Sequence, residues 1–264
     1  MAEGFGQTQY DLRFSLFHIP IQIHPFFWLI AIWFSPFSRS SSNEMRVWMV
    51  GLIAWVLAFL ISFLVHELGH ALILKKVFGA SPWIGLYGFM GLTFHHPYYR
   101  RIPDRWGKIL ISFAGPAAGF LASALLLICF WLAGCHLDFA FISIGPIHLP
   151  FAFPAEAYFW LDSPLPYLYF SGWFVYAFVL LTFIWGFLNL LPIQPLDGGN
   201  ILKEMFLIFS PRNGLIQSLW VSFICAGALC LISIQERLFF TAAFCGYFAF
   251  QSYQQIQFNS KRRF

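Results

Sequence analysis

An H-E-x-x-H pentad, His66-Glu67-Leu68-Gly69-His70, is the part of the sequence whose residue types and spacing could do chemistry. In an α-helix, residues four apart lie on one face, so both imidazoles can reach one metal ion. Glu67, one position further round, can then touch a water molecule on that metal. The pattern therefore indicates metal-assisted hydrolysis, with zinc as the metal.

The pentad directly follows nineteen uncharged, mostly apolar residues, 47–65, a stretch long enough to cross a bilayer as a helix. Ionisable side chains are costly in hydrocarbon and normally face the protein interior or a water-filled cavity. We therefore expect the pentad near the end of a membrane-spanning helix, beside a cavity that admits the water needed for hydrolysis.

A second segment contains a candidate third ligand, which is needed because catalytic zinc commonly takes three protein ligands and one water. Residues 189–199 read Asn-Leu-Leu-Pro-Ile-Gln-Pro-Leu-Asp-Gly-Gly, and the prolines and glycines predict that a helix ends there beside Asp197. Taken alone, the segment is more typical of an ordinary helix stop with a solvated Asp197 than of a metal site. The histidine pair, which lacks a third ligand, favours a metal-binding role.

The composition predicts an α-helical polytopic membrane protein. The chain is 59% hydrophobic and 10% charged, with a mean hydropathy of +0.71, whereas soluble domains are about 45–50% apolar and 25% charged. The five cysteines are odd in number and have no C-x-x-C spacing, so neither a disulfide framework nor a cysteine metal site is expected. The net charge of +4 comes from basic residues scattered over loops and tail. Nucleic acid is therefore not an expected partner.

The apolar segments predict about six transmembrane helices, with small membrane-associated β-strands between or before them. The predicted spans cover about residues 25–37, 47–74, 107–133, 172–191, 215–232 and 238–252. Partial alternation over residues 10–24 predicts a short strand that leads to the membrane. Residues 79–96 are uncharged over most of their length and rich in glycine and aromatics, which predicts a hairpin or re-entrant strand. This segment is either a plain interfacial loop or an edge that pairs with an extended substrate.

The basic residues predict that the N-terminus is cytoplasmic. That orientation places all 15 Lys and Arg residues inside except Arg39, Arg46 and Arg237, in agreement with the positive-inside rule. It also places the pentad in the cytoplasmic half of the bilayer. The expected domains are a cytoplasmic segment over 1–24, a single transmembrane domain over 25–252 and a basic cytoplasmic tail over 253–264. No cleavable signal peptide is expected, which favours a bacterial plasma membrane as the host.

Both motifs, in this order on membrane spans, resemble the site-2 protease family of intramembrane zinc metalloproteases. In that family an H-E-x-x-H helix is followed by an N-x-x-P-x-x-x-L-D-G segment, and here both stand intact at 66–70 and 189–198. Ala114-Gly115-Pro116, which opens the third predicted span, is also similar to the family. The resemblance covers essentially residues 10–205.

The resemblance implies that His66, His70 and Asp197 ligate one zinc ion, that Glu67 is the general base, and that Asn189 helps to place or stabilise the substrate carbonyl. It implies an endopeptidase that hydrolyses peptide bonds in or near transmembrane segments of membrane-tethered regulatory proteins, such as anti-sigma factors or transcription factors. The expected partners are therefore a membrane-protein substrate with a transmembrane helix and the lipid bilayer. We expect that helix to unwind locally, since a hydrogen-bonded helix does not offer an extended peptide.

Other functions stay open. A CAAX-processing-type membrane metalloprotease would take a later Glu as its third ligand, and no second Glu-containing motif occurs on a suitable predicted span. A non-proteolytic zinc-binding membrane scaffold or metal transporter is the alternative from another class. The intact Glu67 disfavours a silent scaffold, and the lack of a ladder of polar residues through several spans disfavours transport. His95 and His96 either form an extra metal or substrate site or are ordinary interfacial residues.

Overall fold

The computed structural model describes residues 8–36, 45–88, 90–95, 99–144, 147–154 and 165–261. Within them, the chain forms seven helices and two small β-sheets. The helices are α1 (Pro25–Trp33), α2 (Met45–Lys76), α3 (Arg105–Leu132), α4 (Pro166–Asn189), α5 (Asp197–Phe209), α6 (Gly214–Gln235) and α7 (Phe239–Lys261). The strands are β1 (Leu12–Leu16), β2 (Ile19–Ile23), β3 (Pro82–Tyr87), β4 (Met90–His95), β5 (Leu137–Ile144) and β6 (Ile147–Pro154).

Four of these helices are long and apolar enough to cross a membrane, which makes the chain an integral membrane protein. They are Trp48–Lys76 within α2, all of α3, Tyr167–Asn189 within α4, and α6. The longest, α2, has 32 residues, so it extends for about 48 Å at 1.5 Å per residue. The predicted spans over 47–74, 107–133, 172–191 and 215–232 correspond to these four helices.

The predicted number of six spans is not confirmed. Over the predicted first span, α1 has only nine residues, about 14 Å of helix against a hydrocarbon core of about 30 Å. Residue 37, the end of that prediction, lies outside the described residues. Helix α7, over the predicted last span, has 23 residues. It is not among the four because its last turns are rich in Gln and Asn, which lower its hydropathy.

A four-stranded sheet in the order β1-β2-β3-β4 lies in the N-terminal part of the chain. The predicted single strand over 10–24 is in fact a hairpin, in which β1 and β2 are antiparallel. Phe17 and His18 form its turn with φ of 52° and 58°, as two-residue turns of this kind require. Lys75, at the end of α2, donates to the carbonyl oxygens of both turn residues, at 2.9 and 3.0 Å. This contact ties the hairpin to the helix that carries the pentad.

Asp11 precedes β1, and its hydrogen bonds connect the first residues of the sheet. Its carboxylate accepts hydrogen bonds from Thr8, Arg13 and Gln22, the last at 2.7 Å from Nε2. Burial alone would raise the pKa of Asp11, but these hydrogen bonds favour the ionised carboxylate and lower the pKa from 3.8 to about 2. The charged form of Asp11 therefore stabilises the hairpin.

The predicted hairpin over 79–96 corresponds to β3 and β4, with residues 89 and 96 outside the described part. Strand β3 pairs with β2 in parallel and with β4 in antiparallel register. One face of β2 and β3 is apolar and buried, and its side chains are Ile19, Ile21, Ile23, Ile84 and Leu86. This alternation is typical of a sheet with one face against a core.

The chain divides into two compact units, and the first falls within 1–102, 117–140 and 151–184. In this unit α1 packs on α2 through three aromatic rings. Phe27 of α1 contacts Phe59 and Phe63 of α2, and the centroids of the three rings are 4.6 to 5.7 Å apart. Trp55 also donates its indole N–H to the Ala31 carbonyl at 3.1 Å. The nine-residue α1 is therefore held against the long helix by side-chain packing.

The second unit falls within 103–116, 141–150 and 185–264. Its core contains Ile193, Ala226, Phe248 and Ala249, which come from the segment after α4 and from helices α6 and α7. Glu204 on α5 is buried and accepts a hydrogen bond from Arg105 at 3.1 Å. A buried carboxylate needs such a partner.

The predicted external loop and the predicted C-terminal tail both contain regular secondary structure. The predicted external loop over 134–171 includes the β5–β6 hairpin and the start of α4. Helix α7 continues to Lys261, into the segment predicted as the tail, while 262–264 lie outside the described residues. The predicted domain boundaries and the cytoplasmic position of the N-terminus stay predictions.

Candidate metal centre

The histidines of the pentad lie on one face of α2, as the helical period requires. His66 and His70 are 4% and 8% exposed, and their Nε2 atoms are 3.2 Å apart. The two rings meet edge to face at a centroid distance of 4.9 Å. Both rings therefore direct a ring nitrogen toward the same small volume.

This spacing fits a shared metal ion. Two nitrogens at 2.0–2.1 Å from a tetrahedral zinc lie about 3.3–3.4 Å apart, close to the 3.2 Å between the two Nε2 atoms. Buried imidazoles that face each other through nitrogen, on consecutive turns of one helix, form two of the ligands that zinc prefers.

Glu67 lies between these histidines in sequence and is also buried, at 4% exposed. Its carboxylate Oε2 accepts a hydrogen bond of 2.7 Å from the Thr93 hydroxyl. Gly91 lies two residues before Thr93 on the same face of β4, against the Glu67 side chain. A Cβ atom at Gly91 would overlap Oε1 and would lie 2.7 Å from Cγ and 2.8 Å from Cδ. Only glycine leaves room for the carboxylate in this position.

The predicted break after the fourth span is confirmed. Helix α4 ends at Asn189, and α5 begins at Asp197. Asn189 is 8% exposed, and its side-chain amide donates to the Trp185 carbonyl at 3.1 Å. Asp197 occupies the first turn of α5, where the positive end of the helix dipole stabilises a carboxylate.

The segment between these helices has a defined path because its backbone groups have partners. The buried Ser222 hydroxyl donates to the Pro192 carbonyl at 3.2 Å and accepts from the Gln194 N–H at 3.2 Å. Two glycines allow the start of α5 to approach this segment closely. A Cβ at Gly198 would overlap the Leu190 carbonyl, and one at Gly199 would lie 2.5 Å from the Ile193 carbonyl carbon.

His66, His70 and Asp197 offer three ligand atoms of the types that bind metal ions. Two imidazoles and a carboxylate are a common donor set for catalytic zinc, which keeps a further position for water. This group could therefore hold one metal ion. It is the one group of three or more such ligands among the residues that the structure describes.

His18, His24 and His95 lie elsewhere in the first unit. His24 caps α1, accepting from the Phe26 N–H at 3.1 Å. His18 lies in the hairpin turn, and the exposed His95 at the end of β4 shares a hydrogen bond of 2.7 Å with the Tyr99 hydroxyl. None of these belongs to the ligand group above. His96 lies outside the described residues, so its role stays open.

The sequence analysis did not identify three positions that support the site: Gly91, Thr93 and Ser222. Alternation along residues 90–95 could have placed Gly91 and Thr93 on one face of a strand, because side chains two apart share a face. Nothing in that pattern indicates that the face is turned toward Glu67. Ser222 has no sequence signal, since it acts through backbone groups of a distant segment.

The fold and these residues together define a mostly helical membrane protein with a His-His-Asp group that could hold a metal ion. Residues 88–231 match the family model described as Peptidase family M50. This match covers more than half of the chain, and the protein therefore belongs to Peptidase family M50.

Two similar proteins come from Methanocaldococcus jannaschii. One is a zinc metalloprotease that is 27% identical over 226 residues, which are 85% of this chain and 53% of that protein. This chain thus spans about half the length of that relative. The other is a solved structure of a site-2 protease, with a TM-score of 0.52 and 25% identity over 94% of this chain and 95% of that chain. The resemblance to the site-2 protease family is confirmed.

Proposed function

We propose that the protein is an intramembrane zinc endopeptidase that hydrolyses peptide bonds in or near transmembrane segments of membrane-tethered regulatory proteins. Membership of Peptidase family M50 supports the reaction class. The observation that carries the proposal is the buried His66–His70 pair, with nitrogens 3.2 Å apart, next to a buried carboxylate on the same helix. A histidine pair alone supports metal binding, whereas the Glu67 carboxylate adds the base that hydrolysis requires.

In this proposal His66, His70 and Asp197 hold the zinc ion. When bound, zinc supplies Lewis-acid chemistry, which acidifies water and polarises a peptide carbonyl. The two imidazoles are neutral donors, so Asp197 alone offsets part of the metal charge. Its place in the first turn of α5 limits its movement, because Ser222 and the two glycines fix the path of the preceding segment.

Glu67 is the proposed general base. Its carboxylate accepts a proton from the attacking water and returns it to the leaving amine, so that the peptide C–N bond breaks and a carboxylic acid and an amine result. A general base must lie within hydrogen-bond reach of its proton, and the pentad spacing supports such a position. Burial of Glu67 excludes competing bulk water and strengthens its electrostatic effect.

Asn189 is proposed to place or stabilise the substrate carbonyl. Its side-chain nitrogen carries two hydrogens, and one of them is used in the hydrogen bond to the Trp185 carbonyl. That bond orients the amide, which leaves the second N–H available for a substrate oxygen. A fixed donor of this kind stabilises negative charge as it develops on the carbonyl oxygen.

The proposed substrate is an extended peptide from a locally unwound transmembrane helix. Strand β4 is the last strand in the sheet order, so it has an edge that such a peptide could join by backbone hydrogen bonds. The same strand carries Thr93, which contacts Glu67, so a peptide on this edge would lie near the proposed base. We further propose a cytoplasmic N-terminus, on the basis of the Lys and Arg distribution.

The test uses purified wild-type protein and the Glu67→Gln variant in detergent or nanodiscs. Zinc content is measured together with cleavage of a designed transmembrane substrate whose helix is weakened by glycine and proline. We expect about one zinc per chain in both proteins and cleavage by the wild type alone, because glutamine keeps the shape of the side chain but cannot act as a base. Full activity of Glu67→Gln would refute the assignment.

A non-proteolytic zinc scaffold or metal transporter is the competing function. It predicts zinc in both proteins and cleavage by neither, over substrates of varied sequence and helix stability. Transport of radioactive zinc into proteoliposomes then separates those two possibilities, because only a transporter gives time-dependent uptake.

A further inference from the structure

Thr93 occupies a position that connects the sheet to the proposed base. Its Oγ1 atom is 2.7 Å from Oε2 of Glu67 and 3.1 Å from the Glu67 carbonyl oxygen. A hydroxyl has one proton, so it donates to these two acceptors in turn or in a shared bond. The shorter distance, to the carboxylate, is the usual length of an O–H···O hydrogen bond.

The rest of β4 holds this hydroxyl in place. Thr93 is paired with the buried Ile84 of β3, and its neighbour Phe94 stacks on Trp83 with ring centroids 4.2 Å apart. Cross-strand pairs of this kind fix the register of a hairpin. Threonine also has a stiff χ1 angle because it branches at Cβ. The donor is therefore on a rigid element, which a precise site requires.

Glu67, in contrast, has a long side chain with several rotamers, and ordering such a chain costs conformational entropy. The Thr93 hydroxyl binds Oε2, and Gly91 lies against Oε1, Cγ and Cδ. Together these contacts select one rotamer.

We infer that Thr93 is a positioning residue, whose hydroxyl holds the Glu67 carboxylate in the orientation needed for proton transfer. This inference rests on the proposed function, since it assumes that Glu67 is the base. It goes beyond the metal-binding and base motifs, because Thr93 belongs to neither. It also gives the β3–β4 hairpin a second role besides any pairing with substrate.

Two variants of Thr93 separate the hydroxyl from the shape of the side chain. Thr93→Val keeps the branched shape and removes the donor, whereas Thr93→Ser keeps the donor. A displacement of about 1 Å at a catalytic group can cost about 100-fold in rate. We expect Thr93→Val to lower kcat by about 10-fold to 100-fold with KM and zinc content unchanged. Thr93→Ser should stay within about threefold of the wild-type kcat.

The same experiment includes Glu67→Gln, so that failure of the inference and failure of the proposed function are distinguishable. If Thr93→Val has the wild-type kcat while Glu67→Gln is inactive, the positioning role is refuted and the base assignment stands. If Glu67→Gln is active, the proposed function itself fails. Equal losses in both Thr93 variants, or loss of zinc from Thr93→Val, would also overturn the inference, because the effect would then belong to packing or to the metal site.

Discussion

Gly91 is the most sensitive position for testing how Glu67 is placed. Gly91 lies very close to the Glu67 side chain. The Cβ of an alanine at this position would be 2.7 Å from Cγ and 2.8 Å from Cδ of Glu67, and it would overlap Oε1. The backbone of Gly91 is not in the left-handed region, and it pairs with Leu86 in regular antiparallel register. Alanine is therefore compatible with the strand backbone, and the three atoms nearest to its Cβ would all belong to the Glu67 side chain.

The size of the effect follows from these distances. Ordinary van der Waals contact begins at 3.4 Å and Cγ would lie at 2.7 Å, so the Glu67 side chain must move by at least about 0.7 Å or adopt another rotamer. Because a misplacement of about 1 Å can cost about 100-fold, we expect Gly91→Ala to lower kcat by about 10-fold to 100-fold. The folded state should not be destabilised greatly, because alanine costs less conformational entropy than glycine within a strand.

The assay is steady-state cleavage of the designed transmembrane substrate, with zinc content and thermal midpoint measured on the same samples. Gly227→Ala is the matched control. Gly227 lies within α6, and a Cβ there has no atom within 4 Å, so alanine should leave kcat unchanged and favour the helix by up to about 1 kcal/mol. Wild-type kcat in Gly91→Ala would refute the claim that the position of Glu67 determines the rate.

Three other predictions test different parts of the structure. Asp197→Ala should weaken zinc binding by more than the roughly 10-fold to 100-fold typical of outer-shell losses, as measured by competition with a chelator; unchanged affinity would exclude Asp197 as a ligand. Ser222→Ala should lower the free energy of unfolding by about 1–3 kcal/mol, because it removes both hydrogen bonds that hold the segment after α4; a wild-type denaturation midpoint would contradict this. Asp11→Ala should lower the thermal midpoint at pH 5 but not below pH 2. The lowered pKa of the Asp11 carboxyl stabilises the protein above about pH 4, and this contribution is lost as pH falls through about 2. A difference that persists below pH 2 would show another cause.

The features that could be predicted from the sequence are those encoded locally. The pentad needs only the helical period to bring His66 and His70 together, and a long apolar stretch before it predicts α2. Pro192, Pro195 and the glycine pair predict the break between α4 and α5, because proline lacks an N–H and glycine permits close approach. In each case the residues that specify the structure lie within a few positions of it.

The features that could not be predicted depend on contacts between distant segments. Thr93 reaches Glu67 only because β4 is placed on β3 in one register and that sheet packs against α2. The hairpin at the N-terminus has bulky residues, Phe17 and His18, where glycine or asparagine would have signalled the turn. The contact of Lys75 with this turn stabilises it, and no local pattern reveals that contact.

The number of spans illustrates a different limit. Hydropathy identified apolar stretches at both ends of the chain, but it does not define where a helix ends. The N-terminal stretch is broken after Trp33 at the end of α1, and α7 extends past its apolar part into a Gln-rich sequence. Length and composition have to agree before an apolar stretch can be counted as a span.

The most direct measurement of the central claim is to map the cleaved bond in a bilayer. Wild-type protein and a designed transmembrane substrate are combined in nanodiscs, and the products are identified by mass spectrometry before zinc removal, after removal with a chelator, and after zinc is restored. The proposed function predicts a cut within or beside the apolar segment that disappears with the metal, returns with zinc and is absent in Glu67→Gln. A cut that persists without zinc or in Glu67→Gln would contradict it.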